Sequence, residues 1–292
     1  TCKARMTAAL RQLADDLRAI LGPRGVLDEV TARVPYECDG LAFMRHVPDL
    51  VILPRTTREC AAAMKLLARA GVPVVARGAG TGLSGGATPV SGGVLVGTAR
   101  MRDVLEIDAR NRFARVQTGV VNVDLTHACE AHGLYYAPDP SSQKACTIGG
   151  NVATNSGGPH TLKYGVTVNH ILGVELVLPD GRVMTIGGPV EEAPGYDLTG
   201  LVVGSEGTFG VVSKVWVRLV RNPQSVRTLL GIFESVDDAS KTISEIIGAG
   251  IVPAALEMLD NLILGAVEEA FGFGFPLDAG AVLIMEVDGL EA

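Results

Sequence analysis

The run Arg77-Gly78-Ala79-Gly80-Thr81-Gly82-Leu83-Ser84-Gly85-Gly86 constrains this chain more than any other segment, because of what flanks it. Before it, Val72 to Ala76 reads as a strand. Within it, Gly80-x-Gly82-x-x-Gly85 matches the dinucleotide fingerprint in form. In a Rossmann fold that fingerprint needs a helix that starts inside the motif and lays its N-terminus on a pyrophosphate. Here Ala87-Thr88-Pro89-Val90-Ser91-Gly92-Gly93 follows, and then the strand-like Val94-Leu95-Val96. Pro89 and the paired glycines leave no room for a crossover helix. A Rossmann fold is excluded. What is left is a loop whose successive backbone N–H groups form a nest for anionic oxygens, with Thr81 and Ser84 adding hydroxyl donors. Side chains would block that approach. The alternative for such a loop is a long flexible surface segment.

Two further clusters share this character. Pro138-Asp139-Pro140-Ser141-Ser142 precedes Thr147-Ile148-Gly149-Gly150-Asn151-Val152-Ala153-Thr154-Asn155-Ser156-Gly157-Gly158. Small residues dominate there, so Gly149 to Gly158 suits a backbone wall against a flat heteroaromatic ring such as isoalloxazine; a single tight turn would not need four glycines in that space. Lys163, just beyond, is placed to stabilise negative charge near the flavin N1 side on reduction, with a solvated lysine as the alternative. The third cluster is Gly204-Ser205-Glu206-Gly207-Thr208-Phe209-Gly210-Val211. Three glycine loops, each beside a strand, can converge on one extended ligand, and FAD is long enough to need all three.

The net charge of −7 argues against a nucleic-acid surface, which needs a basic face. Cys2, Cys38, Cys60, Cys129 and Cys146 form no C-x-x-C pair, so neither zinc nor an iron–sulfur cluster is implied within the chain. An odd, scattered set reads as reduced buried thiols and points to the cytoplasm. No basic-then-apolar leader is visible, and no apolar stretch reaches the ~18 residues of a membrane span, so the expectation is a soluble protein without a membrane span.

Spacing predicts a helix from Met6 to Ile20 ended by Gly22-Pro23, and a buried strand at Leu50–Leu53. A helix capped by Thr56 or Thr57 should run through Ala70, with Gly71 past its end. Further strands are expected at Ala114–Gln117, Ile171–Leu178 and Val183–Ile186, the last two joined by the hairpin signal Asp180-Gly181, and a helix at Val123–His132. A boundary falls near Arg221-Asn222-Pro223-Gln224. Beyond it come strand Leu229–Phe233, helix Val236–Ala249, strand Ala255–Leu259, helix Asn261–Ala270 and strand Ala281–Val287. This βαββ-like order suits an incomplete α+β layer domain.

These segments resemble the flavin domain of the vanillyl-alcohol-oxidase/p-cresol-methylhydroxylase (PCMH) superfamily, and within it the glycolate-oxidase branch. The resemblance is carried by Pro35-Tyr36-Glu37-Cys38-Asp39-Gly40-Leu41, Arg77 to Gly86, Tyr135 to Gly158, Leu162 to Gly165, Gly204 to Val211, and Leu256 to Asn261, and covers essentially the whole chain. It implies an α+β fold: a two-subdomain PCMH-type FAD-binding domain followed by the first part of an α+β, ferredoxin-like substrate cap. Residues 1–48 would be an N-terminal helical segment of the flavin domain, 49–222 the FAD-binding domain, and 223–292 the beginning of the cap. Carried over by position, Arg77, Gly78, Ala79, Gly80, Thr81, Gly82, Leu83, Ser84, Gly85 and Gly86 would hold the pyrophosphate. Pro138, Ser142, Thr147, Gly149, Gly150, Asn151, Ala153, Thr154, Gly157 and Gly158 would line the flavin and ribityl chain. Glu206, Gly210 and Val211 would lie near the adenosine half. Some relatives tether flavin through a histidine in the first loop. Thr81 stands in that place here, which implies a non-covalent site.

The implied reaction is oxidation of a small 2-hydroxy acid, glycolate first, to the 2-keto acid. A base takes the hydroxyl proton while hydride passes to flavin N5. Electrons would leave through an iron–sulfur partner subunit, with a second flavin-domain subunit also expected; membrane association would then come through partners. The family's histidine-rich motif, source of metal ligands and base, belongs to a later part of the cap. None of His46, His127, His132, His160 and His170 forms it, so residues 1–292 alone are expected to be inactive and no metal ligands are assigned. His127 and His132 read as helix-surface residues, and His46 and His170 have no role assigned. His160, between two wall segments, is a candidate to face the substrate, and Arg45 a candidate for its carboxylate. D-lactate and D-2-hydroxyglutarate dehydrogenases are close rivals. A non-catalytic flavin-binding subunit and a cell-wall precursor reductase are more distant ones.

Overall fold

The computed structural model describes residues 7–89, 92–190 and 195–290. Cys2, Met6, Val90 and Ser91 lie outside the described residues. The first layer begins with α1 (Ala8–Leu21), where Leu13, Leu17 and Leu21 recur every four positions and are buried with Ala14. Thr7 caps it, its hydroxyl accepting from the Leu10 N–H at 3.2 Å. Next come β1 (Val26–Leu27), the short α2 (Val30–Arg33) and β2 (Leu50–Ile52). They are followed by α3 (Thr57–Ala70), β3 (Val74–Arg77) and β4 (Val94–Gly97). Thr56 caps α3, and Gly71 ends it in the left-handed region at φ 62°. The sheet order is β1-β2-β4-β3, with β2, β4 and β3 parallel. The N-terminal helix is integral to this layer: it packs on α3, and Leu17, Leu21, Cys60, Met64, Leu67, Ile52 and Val96 form one core. The predicted strand at Val72–Ala76 starts two residues later than its apolar run and extends to Arg77.

The second layer is an antiparallel sheet built from β5 (Val104–Asp108), β6 (Phe113–Gln117), β8 (Ile171–Val177), β9 (Val183–Gly187) and β10 (Val211–Arg218), in the order β5-β6-β10-β8-β9. Between β6 and β8 lie α4 (Asn122–Cys129), β7 (Leu134–Tyr135), α5 (Ile148–Thr154) and α6 (Thr161–Tyr164). α7 (Leu198–Val202) precedes β10, and β11 (Val220–Arg221) pairs with β7. Val116, Val174, Val215 and Val217 meet Leu125, Ile148 and Val152 in its core. β10, at the sheet's centre, alternates buried and half-buried residues from Val211 to Arg218. The sequence carried that period-two signal in Val211-Val212-Ser213-Lys214-Val215-Trp216-Val217, yet neither β10 nor α7 was among the expected elements. A second difference lies in the Pro138–Gly165 stretch: part of the expected glycine wall is helical, because Thr147 caps α5 by accepting from the Gly150 N–H at 3.3 Å.

The third unit is β12 (Ser225–Phe233), α8 (Val236–Gly248), β13 (Ala255–Asp260), α9 (Asn261–Phe271) and β14 (Ala281–Gly289), in a sheet of order β12-β14-β13. A helix joins each successive pair of strands, so the order is β-α-β-α-β. β14 pairs antiparallel with both neighbours, and Leu264, Ala279 and Val282 are buried beneath α9. No helix among the described residues is long and apolar enough to cross a membrane.

Candidate functional site

β3 is an edge strand of the parallel set, and the glycine loop leaves from its C-terminal end. Arg77 organises that loop from inside. Its guanidinium is buried, donates to the Cys38 carbonyl at 2.7 Å and the Ala87 carbonyl at 3.3 Å, and lies 5.6 Å from the Tyr36 ring centroid. Burial pulls its pKa down, against the opposing charge of Asp39. Gly80 packs so tightly on this guanidinium that a β-carbon would overlap it.

The loop then meets α5 backbone to backbone. A β-carbon on Gly78 would sit 2.6 Å from the Thr147 hydroxyl and 3.3 Å from the Gly150 backbone, so only glycine admits the approach. Gly149 can occupy the first turn of α5 for the same reason, since a β-carbon there would meet Thr118 at 2.6 Å. The third cluster is tied to the end of α5 by the Gly204 N–H donating to Val152 and the Glu206 N–H donating to Ala153, both at 2.8 Å. Glu206 holds a left-handed φ of 51°, and its carboxylate reaches Gly86, where a β-carbon would lie 2.5 Å from Oε2.

The three clusters enclose a cavity of about 400 Å3, within the ~300–1,000 Å3 of cofactor sites. Of the residues assigned from sequence, it is walled by Gly78, Ala79, Gly80, Thr81, Gly82, Leu83, Ser84, Gly86, Ser142, Thr147, Gly150, Asn151, Ala153, Thr154, Gly157 and Glu206. A cleft of about 50 Å3 shares Gly78, Gly150, Ala153 and Glu206 with it and adds Arg77, Gly149, Gly210 and Val211. Three assigned residues reach neither space. Gly85 faces Met44, Gly158 packs on Asp139, and Pro138 is buried with its carbonyl accepting from Asn122 at 2.9 Å. The Asn151 amide is also committed, accepting from Asn122 at 3.0 Å and donating to the Cys146 sulfur at 3.3 Å.

Among the described residues, no arginine or lysine lines the larger cavity. The hydroxyls of Thr81, Ser84 and Ser142 make no hydrogen bond to any described residue, and nothing lies within 4 Å of where a Gly82 β-carbon would be. Phosphate oxygens entering here would meet backbone N–H groups and free hydroxyls, the chemistry of a nest. The ionisable side chains Asp39 and Glu206 suit donors instead, such as sugar hydroxyls and ring N–H groups. The walls therefore fit a dinucleotide with a long polar tail. Asp39, whose Oδ1 accepts from the Leu41 N–H at 2.8 Å, was given no role from sequence; the Asp-Gly turn pair at Asp39-Gly40 was the available signal.

The three candidates for chemistry stand elsewhere. Arg45 is exposed, pairs with Glu37 at 3.1 Å and donates to the Ala42 carbonyl at 2.7 Å, so an internal carboxylate already occupies it. Lys163, on α6, is bound to the Asp288 carboxylate of β14 and does not line the glycine-walled cavity. His160 has both ring nitrogens engaged, Nδ1 with Asp139 at 2.5 Å and Nε2 with Glu286 at 2.9 Å. His170 is buried and pushed down by that burial, with Nε2 donating to the Tyr164 carbonyl at 2.8 Å. His46 accepts from the Gly92 N–H at 2.9 Å, and His127 is exposed on α4.

Residues 48–187 match the family model for the FAD binding domain, and residues 222–292 match that for the FAD linked oxidases, C-terminal domain. The glycolate oxidase subunit GlcD of Escherichia coli (strain K12) is 49% identical over 259 residues, covering 89% of this chain and 52% of that protein. GlcD of Bacillus subtilis (strain 168) is 43% identical over 280 residues, 96% of this chain and 60% of that one. A D-lactate dehydrogenase of Anaerostipes hadrus is 34% identical over 278 residues, 92% and 58% respectively. The chain thus spans between about half and three fifths of the length of these curated relatives. Among solved structures, p-cresol methylhydroxylase with substrate bound superposes with a TM-score of 0.81 at 18% identity, covering 99% of this chain and 62% of that one. That likeness makes the fold PCMH-type.

Proposed function

The chain belongs to the FAD-linked oxidases, and from that premise we propose that it is the flavin-holding part of a protein that oxidises a small 2-hydroxy acid on bound FAD, with glycolate the first candidate and glyoxylate the product. The observation that carries this reading is the convergence of three sequence-distant glycine clusters on one cavity walled by backbone donors and free hydroxyls. In that reading Gly78 to Ser84 and Gly86 hold the pyrophosphate, Ser142 and Thr147 to Gly157 pack along the ring and ribityl chain, and Glu206 accepts from the adenosine half. Arg77 acts on the pyrophosphate through the loop it holds. Bound FAD would supply a two-electron acceptor. The chain's residues bind it, orient it and keep it non-covalently, since Thr81 offers no nucleophile comparable to a tethering histidine.

Electrons are proposed to pass to an iron–sulfur partner subunit, as suits a chain similar to one named as a subunit of glycolate oxidase. D-lactate is the second candidate substrate, favoured by the 34% identity to a D-lactate dehydrogenase. The test is anaerobic titration, with glycolate, D-lactate and D-2-hydroxyglutarate, of a FAD-loaded protein that carries residues 1–292 within the full length of the curated relatives, followed by bleaching of the flavin band. Bleaching by glycolate at the lowest concentration supports the first reading. Bleaching by none of the three would leave a flavin-binding subunit without this activity.

A further inference from the structure

The junction between the flavin domain and the cap sheet holds a cluster of titratable groups that the proposed reaction does not use. His160 stands just before α6 with Asp139, in the loop after β7, on one side and Glu286 of β14 on the other, at 2.5 and 2.9 Å. It borders a cavity of about 300 Å3, distinct from the glycine-walled one, whose lining includes Tyr135, Gln143 and Asn222.

The geometry dictates the protonation state. A neutral imidazole carries one N–H and one lone pair, so between two carboxylates one contact would set a lone pair against an oxygen. Only the imidazolium donates to both. The demand on it is sharpened at Asp139, whose Oδ1 is buried without a partner, leaving His160 as the side chain that satisfies this carboxylate. Both ends touch the cofactor wall through the backbone: Asp139 adjoins Pro140, and His160 lies three residues from Gly157, each lining the larger cavity.

We propose that His160 is a proton-operated clasp that holds the cap sheet against the wall of the FAD cavity: protonated, it ties Asp139 to Glu286; deprotonated, it releases one of them. It is a positioning residue, and the proposal is independent of which acid is oxidised. The other groups at the junction form its constant half. Asp288 of β14 binds Lys163 and the Tyr164 hydroxyl, both of α6. Burial works to raise the Asp288 pKa, but those two bonds hold it below the usual carboxylate value. Burial and Asp288 push Tyr164 up, and burial pushes up Tyr135 of β7, so both stay protonated donors.

For His160, burial alone lowers the pKa, and the bonds to Glu286 and Asp139 with their charges outweigh it, so the net direction is upward from 6.5. A group raised on folding gives its full contribution below its unfolded value and loses it as pH climbs through the folded one. The clasp is therefore closed below the unfolded value of about 6.5 and opens as pH climbs through the raised folded value.

The experiment is amide hydrogen exchange of the FAD-loaded protein, corrected for intrinsic rates, at peptides spanning 281–289 and 134–142. In the wild type, protection at both should fall about tenfold between about pH 6 and about pH 9, the scale of losing one hydrogen bond between charged groups. His160→Gln should sit at the low level across the range. Glu286→Gln should be protected throughout, because its amide can donate to a neutral imidazole that still donates to Asp139. A flat wild-type profile, or a wild-type pH dependence kept in either variant, overturns the clasp.

Discussion

A β-carbon at Gly82 would meet nothing within 4 Å, because the space before it is the cavity itself. A side chain there should leave the apoprotein alone and collide only with a ligand. Gly82→Val is expected to melt within about 2 °C of the wild type, as a substitution without new contacts should. Its FAD affinity should fall by tenfold or more on the order of one lost phosphate hydrogen bond. Fluorescence titration of apoprotein with FAD, beside a calorimetric melt, reads both, and unchanged affinity would remove the loop from the pyrophosphate. Gly85 is a poorer test: its φ is 75° and a β-carbon would press on the Met44 sulfur at 3.2 Å, so valine there should cost stability by about 1–2 kcal/mol before any ligand is added. At Arg77 the opposite holds. Arg77→Met is expected to lower stability by about 1–3 kcal/mol, since the half-buried Cys38 and Ala87 carbonyls lose their donor.

Elements are joined by polar contacts as much as by the apolar core, and the first turn of α3 shows how. Glu175 of β8 accepts from Thr57 of α3 and from Ser213 of β10 at 2.9 Å, and pairs with Lys214 at 2.9 Å. Burial works to raise its pKa, but these bonds and the lysine charge hold it below the usual value. A carboxyl lowered on folding stabilises above its unfolded pKa of about 4.3, and that contribution is lost as pH falls through the folded value. Stability to urea should therefore drop below about pH 4 in the wild type, and Glu175→Gln should be less stable at neutral pH with a shallower acid limb. Equal acid limbs would contradict the assignment. Elements whose cause is local were legible in the sequence: α3 from Thr56 and Gly71, the Asp180-Gly181 hairpin, and the cap's alternation of strands and helices. α5 was hidden because its glycines weigh against a helix, and Gly149 answers to Thr118, which comes close only in the folded chain. The cavity walls were legible as glycine clusters. The partners of His160 and Lys163 on the cap sheet were not, because Glu286 and Asp288 lie over a hundred positions away and nothing local marks them.

At the scale of the whole molecule, the architecture separates holding a cofactor from acting on a substrate. The cavity is built entirely between the first two layers, while the third layer meets them through β14 and α6. Oxidation of a 2-hydroxy acid needs a base within about 3 Å of the hydroxyl and a cationic group for the carboxylate. Among the described residues, the imidazole of His160 is clamped by two carboxylates, Lys163 is held by Asp288 and Arg45 by Glu37. The ionisable side chains Asp39 and Glu206, which do line the cavity, would repel a carboxylate substrate. A polypeptide of residues 1–292 is therefore expected to take up FAD with a flavin spectrum and release all of it into solution on acid denaturation. With an artificial electron acceptor it should turn over no glycolate, D-lactate or D-2-hydroxyglutarate. Flavin left on the precipitated chain would contradict the argument from Thr81. Measurable turnover would place the base among Asp39, Glu206 and His160, and Asp39→Asn, Glu206→Gln and His160→Gln, assayed in turn, would say which.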